Sequence, residues 1–207
     1  MVKNLVLAAA LAASGSVGAA HAATVDVVYN IDIYNYVAGS SGAADATAAN
    51  VALHTKLATV VYTGAINFFT NTGAGPTILE FLKSAGGTVS DETGLSILMS
   101  AGGFSTTTLL DIRGSFATAV NGSIIHDDGV TLYDKSGIVL DAASPVYVTT
   151  DTFSAKSGEF RLIYSAANGN PEALTLDVAP VPVPAAGFLL MGALGGLAAM
   201  KRRRKAV

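Results

Sequence analysis

From residue 105 to residue 178, short segments rich in β-branched and aromatic residues alternate with turn sequences, most of which contain glycine. Segments of this kind with turn signals between them are typical of antiparallel β-structure. Their spacing predicts a mainly β fold, an antiparallel, jelly-roll-like β-sandwich with one or two short helices. The predicted strands cover residues 107–112, 115–125, 130–133, 137–140, 146–153, 159–164 and 173–178.

The N-terminal half of the predicted domain carries fewer strand signals. Residues 24–34 alternate apolar and polar side chains, which predicts a half-buried strand. Its apolar face holds Val25, Val27, Tyr29, Ile31 and Ile33, and the opposite face holds Asp26, Asn30 and Asp32. Residues 39–50 predict a small-residue loop, and 66–69 a short strand. Residues 51–62 leave helix and strand open, because Ala and Leu favour a helix while the TVVY sequence favours a strand.

Residues 76–84 predict the best helix of the domain. Pro76 suits the first helical position, where a missing N–H costs nothing. The apolar face consists of Ile78, Leu79, Phe81 and Leu82, followed by two glycines that suit a C-terminal cap. We expect this helix to pack over a sheet.

The N-terminus has the features of a secretory signal peptide. Lys3 supplies a positive start, and residues 5–13 form an apolar segment too short to span a membrane. The small residues Ala20 and Ala22 flank His21 in a cleavage sequence. We therefore predict a signal peptide over residues 1–22, which is helical in its apolar part and is cut before Ala23.

The C-terminal segment, residues 179–207, has three parts in a fixed order. A proline-rich motif is followed by an uncharged apolar run over 185–200 and then by five cations. As a helix, this 16-residue run is about 24 Å long, and snorkelling Lys and Arg side chains extend its reach toward the ~30 Å hydrocarbon core. The positive-inside rule predicts a transmembrane helix with a cytoplasmic basic tail. The motif is Val181, Pro182, Val183, Pro184 and Ala185, and the basic tail is Lys201, Arg202, Arg203, Arg204 and Lys205.

This order of proline motif, short Gly/Ala/Leu helix and Arg-rich end resembles the PEP-CTERM class of bacterial sorting signals, in its VPLPA variant. The resemblance implies recognition by an exosortase, a membrane-embedded protease or transpeptidase. It also implies a Gram-negative host that makes extracellular polysaccharide. The expected route is export, an inner-membrane intermediate held by the C-terminal helix, and a final location at the cell surface or in the extracellular matrix. An ordinary C-terminal membrane anchor is the alternative.

The charge of the predicted exported domain, residues 23–178, differs from that of the whole chain. All 15 Asp and Glu but only six of the 12 Lys and Arg lie in this span, which gives it a formal charge of −9. A strongly acidic domain argues against nucleic acid as a partner and is compatible with cation binding. The absence of cysteine excludes a cysteine nucleophile, thiolate metal ligands and disulfides.

The sequence His126-Asp127-Asp128-Gly129 is the one internal stretch of the predicted domain with motif character. Adjacent carboxylates at the end of a strand point apart unless the backbone is unusual, and Gly129 would permit a tight turn. If both aspartates face one point, they form a hard-oxygen site suited to Ca²⁺, completed by backbone, water, or an asparagine from the loop at 168–170. The alternative is a polar β-turn with no ligand.

The segment 107–178 resembles the protective-antigen-like sugar-binding domains. The resemblance rests on the order DDG, Leu132-Tyr133-Asp134, a glycine turn, the strand at 158–164 and the apolar strand at 173–176. It implies that Asp127 and Asp128 bind calcium and, through it, sugar hydroxyls. Two features depart from the family: Lys135-Ser136 interrupts the Asp-Gly hairpin, and the sequence before residue 107 matches poorly.

Three functions follow as hypotheses. The first is a non-enzymatic surface or matrix protein that binds extracellular polysaccharide, with Ca²⁺ as its cofactor. The second is a structural matrix protein without a small ligand. The third is a hydrolase, which the sequence favours least, because no nucleophile-elbow motif is present and only His54 and His126 remain after signal cleavage.

Overall fold

The structure is a computed structural model that describes residues 28–71, 73 and 75–181. The predicted signal peptide, the sorting motif beyond Val181, the predicted transmembrane helix and the basic tail lie outside the described residues. Within 28–71, 73 and 75–181, no helix combines the length and the apolar character needed to cross a membrane.

The described residues form the predicted mainly β fold, with two antiparallel sheets and two short α-helices. One sheet has seven strands in the order β4-β2-β1-β5-β10-β7-β8, and the other has four in the order β3-β11-β6-β9. The strands are β1 (Val28–Tyr36), β2 (Ala58–Thr63), β3 (Asn67–Thr70), β4 (Thr88–Val89), β5 (Thr107–Phe116), β6 (Val120–His126), β7 (Val130–Asp134), β8 (Gly137–Ala142), β9 (Thr149–Ala155), β10 (Gly158–Ala166) and β11 (Glu172–Pro180). The helices are α1 (Ala48–Leu53) and α2 (Ile78–Lys83), with 3₁₀ turns at Gly42–Ala44 and Gly102–Phe104.

The inner faces of the sheets and α2 enclose the core. Alternation along β1 is confirmed for the core face, where Tyr29, Ile31 and Ile33 are buried. On the other face Asn30 is exposed, but Asp32 is buried. The predicted strand residues 24–27 lie outside the described residues. A chain of aromatic contacts crosses it, from Tyr62 through Phe68 and Phe81 to Tyr164. Aromatic side chains bury large areas, so this chain is a major source of stability.

The predicted single strand over 115–125 is wrong, because the chain changes sheets inside it. The strand β5 ends at Phe116 in the seven-stranded sheet, and β6 begins at Val120 in the four-stranded sheet. Both residues are buried in the core, one on each side of the crossing. A straight strand pairs within one sheet, so the exposed residues 117–119 must form a connection.

The two helices resolve the remaining local predictions. The helix α2 lies inside the predicted 76–84 span, but the expectation that Pro76 is its first helical residue is wrong. Thr77 is the N-cap, and a reciprocal capping box between Thr77 and Glu80 fixes the start at Ile78. The ambiguous span 51–62 contains both alternatives, the end of α1 and then most of β2. The helix α1 and the preceding loop cover part of the outer face of the seven-stranded sheet, where Val51 packs near Leu109 and Ile163.

Candidate functional site

The aspartates of the DDG motif lie just after β6, at one rim of the two sheets. Both are buried, with 6% of the residue exposed in each case. The N–H of Asp127 donates to the carbonyl of Ala173 at 3.0 Å, and that of Asp128 donates to Val146 at 2.9 Å. Two hydrogen bonds to distant segments therefore fix the backbone of this turn.

The unusual backbone that the motif requires is present, but at a different residue from the one predicted. Asp128 has the positive φ, 69°. Gly129 instead allows the backbone of Ala143 to come close, because a Cβ built on Gly129 would lie 1.9 Å from the carbonyl oxygen of Ala143. The expectation that Gly129 provides the turn conformation is thus wrong, and its role is to let the chain just after β8 pass close by.

The loop that follows β10 contacts Asp128 through Ala167. The expectation that an asparagine at 168–170 completes a calcium shell stays a prediction. The Oδ2 atom of Asp128 accepts a 2.6 Å hydrogen bond from the N–H of Ala167. The next residue, Asn168, has a φ of 64° and accepts a hydrogen bond from the N–H of Gly103 through Oδ1 at 2.9 Å. One of the two lone pairs of the Asn168 amide oxygen is therefore engaged by Gly103.

Sequence reasoning missed a third carboxyl group, that of Glu172. Its side chain is fully buried and forms hydrogen bonds with the hydroxyls of Ser100 and Tyr164. The hydroxyl of Ser100 also accepts from the N–H of Gly169, which ties the loop to Glu172. A signal was available: Glu172 lies two residues before Leu174, so strand alternation gives it the core face.

These three carboxyl groups resist ionisation, and burial is the main cause for each. Burial raises the pKa of Asp127 to about 6 and that of Asp128 to about 8, where the charge of Asp127 adds to the effect. The pKa of Glu172 rises to about 9 through burial and the nearby Asp128 and Asp127. Among the described residues, none of the ion pairs joins a Lys or Arg to these groups.

The donor chemistry of Asp127 and Asp128 fits calcium in type and is incomplete in number. Ca²⁺ takes six to eight oxygen ligands, and two adjacent carboxylates supply only part of that shell. In residues 28–71, 73 and 75–181, no group of three or more His, Cys, Asp or Glu side chains has the arrangement of a metal site. Backbone carbonyls, amide oxygens, water or ligand hydroxyls would have to complete the shell.

His126 is held in a structural position. Its ring is fully buried, with Nδ1 donating to the carbonyl of Asp128 at 2.6 Å and Nε2 lying 2.9 Å from Oδ2 of Asp151. The acid beside the imidazole is thus Asp151 on β9 rather than the sequence neighbour Asp127. Ser123 lies three residues away on β6 and projects from the opposite face, so these residues do not form a triad.

An exposed aromatic ring lies near the aspartates and was not singled out in the sequence. Tyr147 is 93% exposed, and its neighbours Val146 and Val148 are also exposed. The carbonyl of Val146 accepts the hydrogen bond from Asp128, so this apolar loop adjoins the aspartate turn. The predicted strand 146–153 is wrong at its start. Residues 146–148 belong to this loop, and β9 begins at Thr149.

Comparison with known proteins gives matches among solved structures only. No protein-family model matches the chain, and no curated protein gives a significant match. The PA14 domain of the antifreeze protein MpAFP aligns with a TM-score of 0.50 and 18% identity, over 76% of this chain and 83% of that domain. The fold is similar to that of a PA14 domain. The PA14 sugar-binding domain of an RTX adhesin aligns with a TM-score of 0.49 and 17% identity, over 74% of this chain and 88% of that domain.

The match with the antifreeze-protein domain confirms, at the level of the fold, the resemblance to protective-antigen-like domains. It covers 76% of the chain, so it extends well beyond residues 107–178. It therefore includes residues before 107, where the sequence matches the family poorly. The fold is similar there although the sequence signal is weak.

Proposed function

We propose that the domain is a non-enzymatic glycan-binding module of an exported surface or matrix protein. In this proposal, Asp127 and Asp128 bind a calcium ion, and the ion binds a pair of hydroxyl groups of a sugar in extracellular polysaccharide. The observation that carries the proposal is the buried aspartate pair itself, which lies beside two loops and forms no ion pair with a Lys or Arg among the described residues.

The electrostatics of the aspartate pair supports a cation as the missing partner. Burying a carboxylate without a countercharge is costly, and the pKa values of Asp127 and Asp128 rise for that reason. A divalent cation would supply the countercharge and favour the ionised forms. The Ala167 contact to Oδ2 of Asp128 holds one carboxylate oxygen in place at the rim.

The loop around Tyr147 supports a sugar as the ligand class. An exposed aromatic ring next to a polar site is suited to packing on the apolar face of a pyranose, while hydroxyl groups bind the polar site. Tyr147 has nearly its whole side chain in solvent and is flanked by two exposed valines. In this role the ring contributes affinity by stacking, and the cation orients the sugar.

The test is a calcium-dependent melting experiment on the full chain, followed by a glycan array. At ten times a millimolar-range dissociation constant, binding would add about 1.4 kcal/mol to the free energy of unfolding. For a domain of this size that is a rise in melting temperature of roughly 3–6 °C. The variant with Asp127→Asn and Asp128→Asn should lose the rise, and Tyr147→Ala should keep it but bind glycans more weakly.

The matched control removes two exposed acids instead, by Asp141→Asn and Asp177→Asn. It removes the same number of carboxyl groups at exposed positions, so a general electrostatic effect of calcium would weaken in this variant as well. Equal melting temperatures of the wild-type chain in millimolar calcium and in chelator would refute the calcium site. Calcium binding without any glycan on the array would favour the structural-matrix hypothesis.

The C-terminal segment supports a second part of the proposal, exosortase-dependent sorting at the Val181–Ala185 motif. The last described strand, β11, ends at Pro180, and Val181 is still hydrogen-bonded to the carbonyl of Ala119. The motif therefore begins where the sheet ends, with little chain between the domain and the expected membrane segment. The intact mass of the surface protein tests this: a mature form that retains Lys201 and Lys205 would contradict processing and leave a plain anchor.

A further inference from the structure

A row of polar side chains crosses the outer face of the seven-stranded sheet, away from the aspartate site. The register pairs Asn30 with Arg113, Arg113 with Arg161, and Arg161 with Tyr133, on β1, β5, β10 and β7. Paired residues of antiparallel strands project from the same face. With strands about 4.8 Å apart, the four side chains form a row about 14 Å long.

The two arginines of this row are held in place by a shared buried carboxylate. Two like charges directly opposite each other in a sheet repel. Here Asp111, which is 0% exposed, accepts from both: Arg161 donates through Nε at 2.8 Å and Nη2 at 3.0 Å, and Arg113 donates through Nη2 at 2.6 Å. The guanidinium groups are therefore pre-positioned, which lowers the entropic cost of binding a ligand.

The cations of this region lie outermost, and most of its carboxylates lie beneath them. The side chains of Arg113 and Arg161 are 51% and 30% exposed. By contrast, Asp32 is buried and contacts Arg113, and Asp134 is buried and accepts from main-chain N–H groups. In a domain whose formal charge is −9, this is a place where exposed positive groups gather.

The row borders an open groove of about 630 Å³, a volume in the range of small-ligand sites. Besides the row, the polar lining consists of Ser115, Asp134, Lys135 and Glu159, and Val28, Gly114 and Phe160 complete it. The ring of Tyr133 forms one wall, with the guanidinium carbon of Arg161 5.8 Å from its centroid. The groove thus combines two guanidinium donors, small hydrogen-bonding side chains and the aromatic rings of Tyr133 and Phe160.

We infer that this groove binds the carboxylate-bearing sugar of an anionic polysaccharide, a hexuronate unit. Guanidinium groups match the planar carboxylate by paired N–H···O bonds, better than ammonium groups do. Asn30 and Ser115 offer hydrogen bonds to ring hydroxyls, and Tyr133 offers an apolar surface to the pyranose. This site is independent of calcium, and it lies toward the opposite end of β7 from Asp128, since Asp134 is the last residue of that strand.

The test is titration calorimetry of the full chain with oligogalacturonate in the presence of a chelator. Arg113→Gln should weaken binding roughly tenfold, because it removes one charged hydrogen-bond partner. Arg113→Lys should lose less affinity than Arg113→Gln but still bind more weakly than wild type, because lysine keeps the positive charge and lacks the paired N–H donors of the guanidinium group. Arg113 is preferred over Arg161 for substitution because it is the more exposed of the two, and melting temperatures check that both variants fold.

A variant with increased affinity makes the test sharper. Glu159 is an exposed carboxylate that lines the groove and opposes an anionic ligand. Glu159→Gln should therefore strengthen oligogalacturonate binding at low salt, and the gain should shrink as salt rises. Asp177→Asn on β11 removes the same charge from the other sheet and should leave the affinity unchanged.

Four results would overturn the inference. The first is no binding of oligogalacturonate by folded wild-type protein in chelator. The second is equal binding of a neutral gluco-oligosaccharide. The third is wild-type affinity in Arg113→Gln. The fourth is equal binding of polyglutamate, which would show a surface for any carboxylate chain. Because calcium is absent throughout, failure of this site is distinguishable from failure of the aspartate site.

Discussion

Replacing Glu172 with glutamine should change how the stability of the domain depends on pH. The carboxyl group of Glu172 is fully buried, and its pKa rises from 4.5 to about 9 in the folded protein. Between these two values the folded state keeps a proton that the unfolded state has lost. Stability therefore falls as pH rises through this window, whereas the amide that replaces the carboxyl group does not titrate.

The expected change in the free energy of unfolding is calculated from a difference of one bound proton between the folded and unfolded states over three pH units. A full difference of one proton changes the free energy of unfolding by about 1.36 kcal/mol per unit, or about 4 kcal/mol between pH 5 and pH 8. Asp127 and Asp128 share the electrostatic coupling, so we expect about half, on the order of 2 kcal/mol. This corresponds to roughly 4–8 °C in melting temperature.

The assay is thermal unfolding followed by circular dichroism at pH 5 and pH 8 in chelator, on wild type and Glu172→Gln. From pH 5 to pH 8, the melting temperature of wild type should fall relative to that of Glu172→Gln by roughly 4–8 °C. Glu159→Gln makes the same chemical change at an exposed position and should show no such shift. A constant difference between wild type and Glu172→Gln at both pH values would refute the buried, protonated carboxyl.

Two further predictions concern single turns. Gly129→Ala should lower the melting temperature by roughly 2–12 °C, because the added Cβ would overlap the carbonyl of Ala143 and such overpacking costs about 1–3 kcal/mol. An unchanged melting curve would contradict the close approach of Ala143 to Gly129. Hydrogen bonds from the hydroxyl of Ser136 and the N–H of Lys156 lower the pKa of Asp134 to about 2. The stability that ionised Asp134 adds is present above its usual pKa near 3.8 and is lost as pH falls to 2. In Asp134→Asn the free energy of unfolding should therefore fall less steeply with pH over this range, which unfolding measured at a series of acidic pH values would show.

Local patterns were sufficient for much of the fold. Alternation identified the core face of β1, and the apolar residues between Ile78 and Leu82 with the glycines that follow placed α2 within two residues of its observed bounds. The error at 115–125 has a physical cause: residues 117–119 have no glycine or proline to mark the crossing between sheets. A connection made of Ala and Thr leaves no local signal, so only the position of the second sheet reveals it.

The candidate sites depended on information that local patterns do not contain. The aspartate pair was predicted because its residues are adjacent, whereas Glu172 lies 44 residues beyond Asp128 in the sequence and reaches the same region through β11. The arginine row is more remote still. Arg113 and Arg161 become neighbours only through the pairing of β5 with β10, which no turn connects.

The two candidate sites differ in how the repulsion between neighbouring like charges is compensated. Like charges are brought together in both, and each arrangement needs a countercharge to be stable. At the arginine row, the fold supplies it internally, through the buried carboxylate of Asp111, so the row exists without a ligand. At Asp127, Asp128 and Glu172, the described residues supply no Lys or Arg, and burial raises the pKa of the three carboxyl groups to about 6, 8 and 9 instead. Calcium should therefore compete with protons at the aspartates and leave uronate binding at the arginines unaffected.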